Sequence, residues 1–154
     1  MPLIEIKTII NADLQTCFDL SRNIDFHTAS LQHSKEKAIA GKTSGLIELN
    51  EWVTWEARHF GMTQHLTSKI TAFESPNYFV DEMVSGAFKS FKHEHNFQTE
   101  NDKTLMIDRF QFESPFGIFG KLANLLFVKR YMTNLLRTRN AFLKKTAEEL
   151  SHIH

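Results

Sequence analysis

From Leu3 to Ile9 apolar and polar side chains alternate and β-branched residues dominate, a pattern that predicts a strand. Asn11 then offers a side-chain N-cap for a short helix over Ala12 to Leu20, and Ser21 repeats the signal for a second helix from Arg22 to about Ser30. The polar stretch Gln32 to Lys37 has no period and reads as a loop. From about residue 44 to 113 the period is two, with breaks near Asn50, Gly61, Pro76, Gly86 and Asn101-Asp102 that cut it into six strands of an antiparallel meander. Ser114-Pro115-Phe116-Gly117 ends the meander. Apolar residues then recur at helical spacing from Ile118 to about Glu149, through Leu122, Leu125, Leu126, Val128, Met132, Leu135, Leu136, Phe142 and Leu143. That is one amphipathic helix about 45 Å long. With no internal repeat or linker, residues 1–154 read as a single α+β domain of seven antiparallel strands and a long C-terminal helix, with two short helices between strands 1 and 2.

Strand registers can be tested by asking which one collects the apolar residues on one face, because a slip of one residue inverts every side chain. A two-residue turn at Gly61-Met62 pairs Val53 with Ile70, Trp55 with Ser68, Ala57 with Leu66 and His59 with Gln64, leaving Thr54, Glu56 and Arg58 on a solvated face. A turn at Asn101-Asp102 sets Phe91 opposite Phe112, His93 opposite Phe110, His95 opposite Asp108 and Phe97 opposite Met106. The reverse face then pairs Glu94 with Arg109 and Lys92 with Gln111, so the aromatic face bearing His93, His95 and Asp108 points inward. A three-residue loop after the fifth strand sets Asp81 opposite Phe91 and Phe79 opposite His93, adding a second inward carboxylate.

Inward polar groups are poor filler for a dry core, since burying one without a partner costs about 1–3 kcal/mol. Convergent polar groups in an apolar lining are the mark of a ligand pocket, which opens if the helix stands off the sheet. The expected wall is Trp55, Ala57, Phe91, Phe97, Phe110 and Met132, with His59, Asp81, His93, His95 and Asp108 fixing a polar group. Leu125, Val128, Leu135 and Phe142 are expected to pack as core, and Lys129, Arg130, Arg137, Arg139, Lys144 and Lys145 to form a solvated basic face.

Eighteen basic residues balance eighteen acidic ones, so the chain lacks the charge that nucleic acid selects. One cysteine, Cys17, cannot form an internal disulfide, and no apolar run approaches the roughly 20 residues that span a bilayer. With no signal-peptide pattern at its start, the chain reads as cytoplasmic and soluble. Fourteen Phe beside three Pro and six Gly is the one unusual feature of the composition.

Two chemistries compete with simple lining. His93 and His95, two apart on a strand, place their rings about 7 Å apart on one face. That suits a His-x-His metal pair completed by Asp81 or Asp108, although orientation of a ligand head is favoured and neither metal nor cofactor is expected. His95 with Asp108 also has the composition of an oriented general base, yet no nucleophile motif or Gly-rich phosphate loop accompanies it. Asp81 with Lys89 offers an ion pair at a hairpin end.

The chain resembles the SRPBCC superfamily, which takes in START domains, birch-pollen-allergen-like proteins and polyketide cyclase/dehydrases. Its small bacterial ligand-binding members are the nearest in pattern. The resemblance runs through Gly45-Leu-Ile, Val53-Thr-Trp-Glu-Ala-Arg-His-Phe-Gly61, Gly86-Ala-Phe, His93-Glu-His-Asn-Phe97, Asp108 and Ser114-Pro-Phe-Gly-Ile-Phe-Gly120. It implies a helix-grip fold, with the sheet curved around the long helix and a hydrophobic ligand such as a lipid, quinone or polyketide-like compound between them. It carries over no catalytic residue. The leading expectation is therefore a carrier or sensor of a hydrophobic small molecule. A cyclase- or dehydratase-like enzyme using His95, and a partner-binding regulator, are the alternatives. Ligand identity and oligomeric state are not fixed by the sequence.

Overall fold

The computed structural model describes residues 2–59, 61–113 and 121–153, with side chains for all of these except 33, 121–125 and 153. The segment Ser114 to Gly120, the first residues of the expected long helix, and the side chains of Leu122 and Leu125 lie outside the described residues.

Seven strands form one antiparallel sheet: β1 (Leu3–Ile10), β2 (Lys37–Gly41), β3 (Trp52–His59), β4 (Met62–Glu74), β5 (Tyr78–Ser85), β6 (Ser90–Glu100) and β7 (Lys103–Glu113). Their spatial order is β1-β7-β6-β5-β4-β3-β2. Between β1 and β2 lie α1 (Leu14–Ser21) and α2 (Ile24–Ser30), and α3 (Lys121–Ile153), 33 residues or about 50 Å long, closes the chain. This is the α+β helix-grip architecture, a sheet curved around a long C-terminal helix. No helix among the described residues is long and apolar enough to cross a membrane.

Both short helices start later than the caps expected at Asn11 and Ser21. Asp13 caps α1 by accepting from the Thr16 backbone N–H at 3.1 Å, and Asn23 caps α2 by accepting from the Phe26 N–H at 3.0 Å. Asn11 and Ala12 are held outside the helix by other elements: Glu148 of α3 accepts from the Asn11 N–H, and Thr104 of β7 donates to the Ala12 carbonyl. The second strand is Lys37–Gly41 and not the stretch after residue 44, which is a loop that buries Ile47 and bridges Leu46 to Asn23.

The β6–β7 register is the expected one, from Phe91 opposite Phe112 to Phe97 opposite Met106, around Asn101 and Asp102 at φ 51° and 64°. The other two hairpins keep the expected faces but shift by two residues. β3 pairs Val53 with Ser68, Trp55 with Leu66 and His59 with Met62, and Gly61 before β4 has φ 74°. β5 pairs Phe79 with His95 and Asp81 with His93, across a four-residue connection, 86–89. A shift of two leaves every side chain on its face, so alternation cannot detect it. At Gly86, φ 145°, a Cβ would approach Leu66 Cδ1 to 2.6 Å, so this connection depends on glycine.

The inner face packs into two apolar clusters. One centres on Phe18 of α1, whose ring meets Phe73, Phe79 and Phe97 edge-on at 5.5 Å, and extends to Leu143 and Ala147 of α3. The other joins Ile4, Phe91, Phe110, Phe112 and Leu136, with Phe88 and Met132 against it. Phe142, expected in the core, is 39% exposed and packs on Phe26 at 5.3 Å between ring centroids.

Candidate functional site

The two clusters do not merge over the middle of the sheet, and a cavity of about 240 Å³ lies between them under α3. Its floor is β3 to β7, through Trp55, Ala57, His59, Ser68, Asp81, Phe91, His93 and Phe110. Val128, Tyr131, Met132, Leu135, Leu136 and Arg139 of α3 form the roof. Among the residues expected to line it, His95, Phe97 and Asp108 do not reach the wall: Phe97 packs in the Phe18 cluster, and the other two lie behind His93. Val128 and Leu135, expected as core, face the cavity.

Behind the floor lies a buried network of charged and polar groups. Asp108 on β7 is fully buried; Oδ1 accepts from His93 Nε2 at 2.8 Å and from an Arg139 terminal nitrogen at 2.9 Å. Its Oδ2 accepts from Asn140 Nδ2 at 2.8 Å, while Asn140 Oδ1 accepts from Arg139 Nε at 3.2 Å. His95 Nε2 lies 2.7 Å from Asp81 Oδ2, and its Nδ1 lies 3.5 Å from Ser21 Oγ and 3.4 Å from Asp108 Oδ1. The His93 and His95 rings stack with centroids 3.7 Å apart, and Phe79 covers the other face of His95 at 4.1 Å.

This geometry corrects four expectations. The carboxylate-held imidazole in the cavity wall is His93, not His95. Asp81 bonds His95, and Lys89 pairs instead with Glu113 at 3.4 Å. Arg139, expected on the solvated face, is 4% exposed. The two imidazoles are stacked at half the separation the strand spacing suggested. Arg139 and Asn140 were legible in principle: they continue the stripe Met132, Leu135, Leu136, Leu143 and Ala147 at helical spacing, so they face the sheet.

Burial opposes charge throughout the network, and its partners decide where charge survives. Desolvation would raise the Asp108 carboxyl, but the Arg139 charge and the hydrogen bonds from His93 and His95 outweigh it and hold it well below the usual range. Asp81 is likewise lowered, desolvation being overcome by the His95 hydrogen bond and by His93, His95 and Arg139. His93 moves down to about 4, first through desolvation and then through the neighbouring His95. Cys17 is inert by the same logic: burial pushes its thiol up to about 11.

Asp81, His93 and His95 bring one ligand atom each within 4.8 Å of one another, the grouping a metal would use. Imidazole lone pairs lie in the ring plane, and these rings are stacked at an interplanar angle of 30°. A shared ion would sit far out of at least one plane, so the arrangement suits a hydrogen-bond network better than coordination.

A second polar pair closes the far side of the cavity, where His59 Nδ1 of β3 is hydrogen-bonded to the Tyr131 hydroxyl of α3. His27 and Glu36, 2.7 Å apart, lie beside them. Replacing Tyr131 with Phe removes the hydroxyl's hydrogen bond to His59, an expected loss of about 1 kcal/mol in urea unfolding. An unchanged unfolding free energy would show that this bond contributes nothing to stability.

No family model matches the chain, and no curated protein sequence matches it. Solved structures do. A crystal structure of TTHA0849 from Thermus thermophilus superposes with a TM-score of 0.79 at 16% identity, covering 97% of this chain and 99% of that one. A START superfamily protein from Mycobacterium smegmatis gives 0.73 at 12% identity, with 96% and 98% covered. Ginseng major latex-like protein 151 from Panax ginseng gives 0.65 at 13%, with 95% and 97% covered. At such low identity the likeness speaks for architecture alone, and it extends over nearly the whole chain: the protein shares its helix-grip fold with these structures.

Proposed function

We propose that the chain acts as one ligand-binding domain, a carrier or sensor of a small hydrophobic molecule held between the sheet and α3. The observation that carries this reading is the cavity of about 240 Å³ between the two core clusters, walled by Trp55, Phe88, Phe91, Phe110 and Leu135 and polar at Asp81 and His93. A dry void of about 150 Å³ holds benzene, so this one suits a mono- or bicyclic molecule or a short acyl chain better than a lipid with two tails. The START superfamily name of one similar structure supports a ligand role for the shared fold.

Native mass spectrometry of freshly purified protein, followed by solvent extraction, tests the reading directly. A co-purified apolar mass supports it and gives the ligand class. Ala57, 8% exposed at the cavity floor, provides the control. Ala57→Phe should fill the space, lowering affinity for an environment-sensitive hydrophobic dye at least about tenfold, or 1.4 kcal/mol, while thermal stability is kept. Dye affinity unchanged by that substitution would place binding elsewhere.

The His93–Asp108 pair favours a second reading, a general base acting on a bound substrate, since the carboxylate fixes the imidazole tautomer and leaves Nδ1 toward the cavity. With its pKa near 4, His93 is a weak base at neutral pH, which is why binding is preferred. Turnover lost in His93→Gln, with affinity retained, would reverse that preference.

A further inference from the structure

Asp108 is an acceptor at each of its short contacts. Arg139 carries only donors, and its Nε bond to Asn140 Oδ1 turns the amide so that Asn140 Nδ2 also donates. The short contact to His93 Nε2 therefore needs the ring proton on Nε2, and His93 Nδ1 presents a lone pair. Opposite it, 3.9 Å away, is Asp81 Oδ2, which is too distant for a hydrogen bond and is an acceptor itself. Among the described residues nothing donates to His93 Nδ1, and as no buried side-chain nitrogen or oxygen lacks a partner, this atom is reached from the cavity that His93 lines. Two acceptors 3.9 Å apart can share one donor about 2.8–3.0 Å from each, seated to the side of the line joining them.

The charges around the gap agree. Asp81 and Asp108 outnumber Arg139, whose guanidinium is already engaged by Asp108 and Asn140. Trp55, Phe88 and Phe91 supply the apolar wall beside the gap. We propose that the cavity takes a small apolar primary amine, its ammonium seated between Asp81 and His93 Nδ1 and its ring or hydrocarbon body against Trp55, Phe88 and Phe91. The inference rests on the ligand-binding reading above and names the chemical class of the ligand.

Three indoles that differ only at the end of a short side chain provide the test: tryptamine, tryptophol and indole-3-propionate, titrated calorimetrically at pH 7. The amine should bind at least about tenfold more tightly than the alcohol, and the acid should bind weakest. Asp81→Asn should shrink the difference between amine and alcohol to less than about threefold. Equal or tighter binding of alcohol or acid, or an amine preference that survives Asp81→Asn, overturns the inference. If the alcohol binds as tightly as the amine and Ala57→Phe abolishes both, the cavity reading stands and the amine assignment falls. If none of the three indoles nor the dye binds, both fall. Should Asp81→Asn fail to fold, the ranking of the three ligands on the unaltered protein still decides.

Discussion

Asp108→Asn is expected to lower the unfolding free energy by about 3–5 kcal/mol, the loss typical when one partner is removed from a buried ion pair. The substitution is nearly isosteric, so packing is not its cause. It leaves the Arg139 guanidinium, 4% exposed, without its counter-charge. It also puts an amide donor among the three donors of His93, Arg139 and Asn140, and at least one of them loses its acceptor. Against a total stability of about 5–15 kcal/mol this is a large fraction. Urea unfolding measures it, and the double variant Asp108→Leu with Arg139→Met should recover much of the loss by replacing both charges with apolar volume. A loss below about 1 kcal/mol for Asp108→Asn would mean that the network contributes little to the fold.

Acid should destabilise the protein over a window set first by His93. Its folded value, about 4, lies below the ordinary 6.5, so between those values the unfolded chain binds a proton that the native ring excludes. Stability therefore falls as pH decreases from 7 to 4, by about 3 kcal/mol from this group. The groups facing the ring are Asp81 from β5, His95 from β6, Asp108 from β7 and Arg139 from α3. The lowered Asp81 and Asp108 carboxyls act with the same sign, but only as pH drops below the ordinary carboxylate range near 4. Urea unfolding of the unaltered protein and of His93→Gln across pH 7 to 4.5 isolates the contribution. The variant should show a distinctly flatter loss, and parallel curves would refute the assignment to His93.

Much of the floor of this cavity is legible in the amino-acid sequence. The β6–β7 register followed from one physical constraint, that Glu94 and Arg109 face each other on the wet side, which fixed His93, His95 and Asp108 inward. The other two hairpins kept their faces and lost their partners by two residues, because burial repeats every two positions and is blind to that shift. That shift decided the chemistry. It put Asp81 opposite His93, within reach of His95, so the roles of the two histidines changed. β2 escaped notice because five residues of mixed exposure carry little alternation. Arg139 was misjudged because a charged side chain on a basic helix suggests solvent, whereas its place in the 132, 135, 136, 143 stripe indicates the sheet. Cavity volume could not be read at all, since it depends on how far α3 stands from β3 to β6.

The ends of the sheet bear on whether one molecule can add its strands to another. A seven-stranded open sheet has two outer strands, each a template for a neighbour's backbone. One of them, β2, is only five residues long, contains a register irregularity at Ala38 to Ala40, and stops at Gly41, where even a Cβ would collide with the Trp52 carbonyl. The other, β1, is crossed at its far end by α3, with Lys144 donating to the Ile9 carbonyl and Glu148 accepting from the Asn11 N–H. Both margins thus discourage strand addition. Side chains on the concave face can then vary to suit a ligand without making the molecule prone to fibrous assembly.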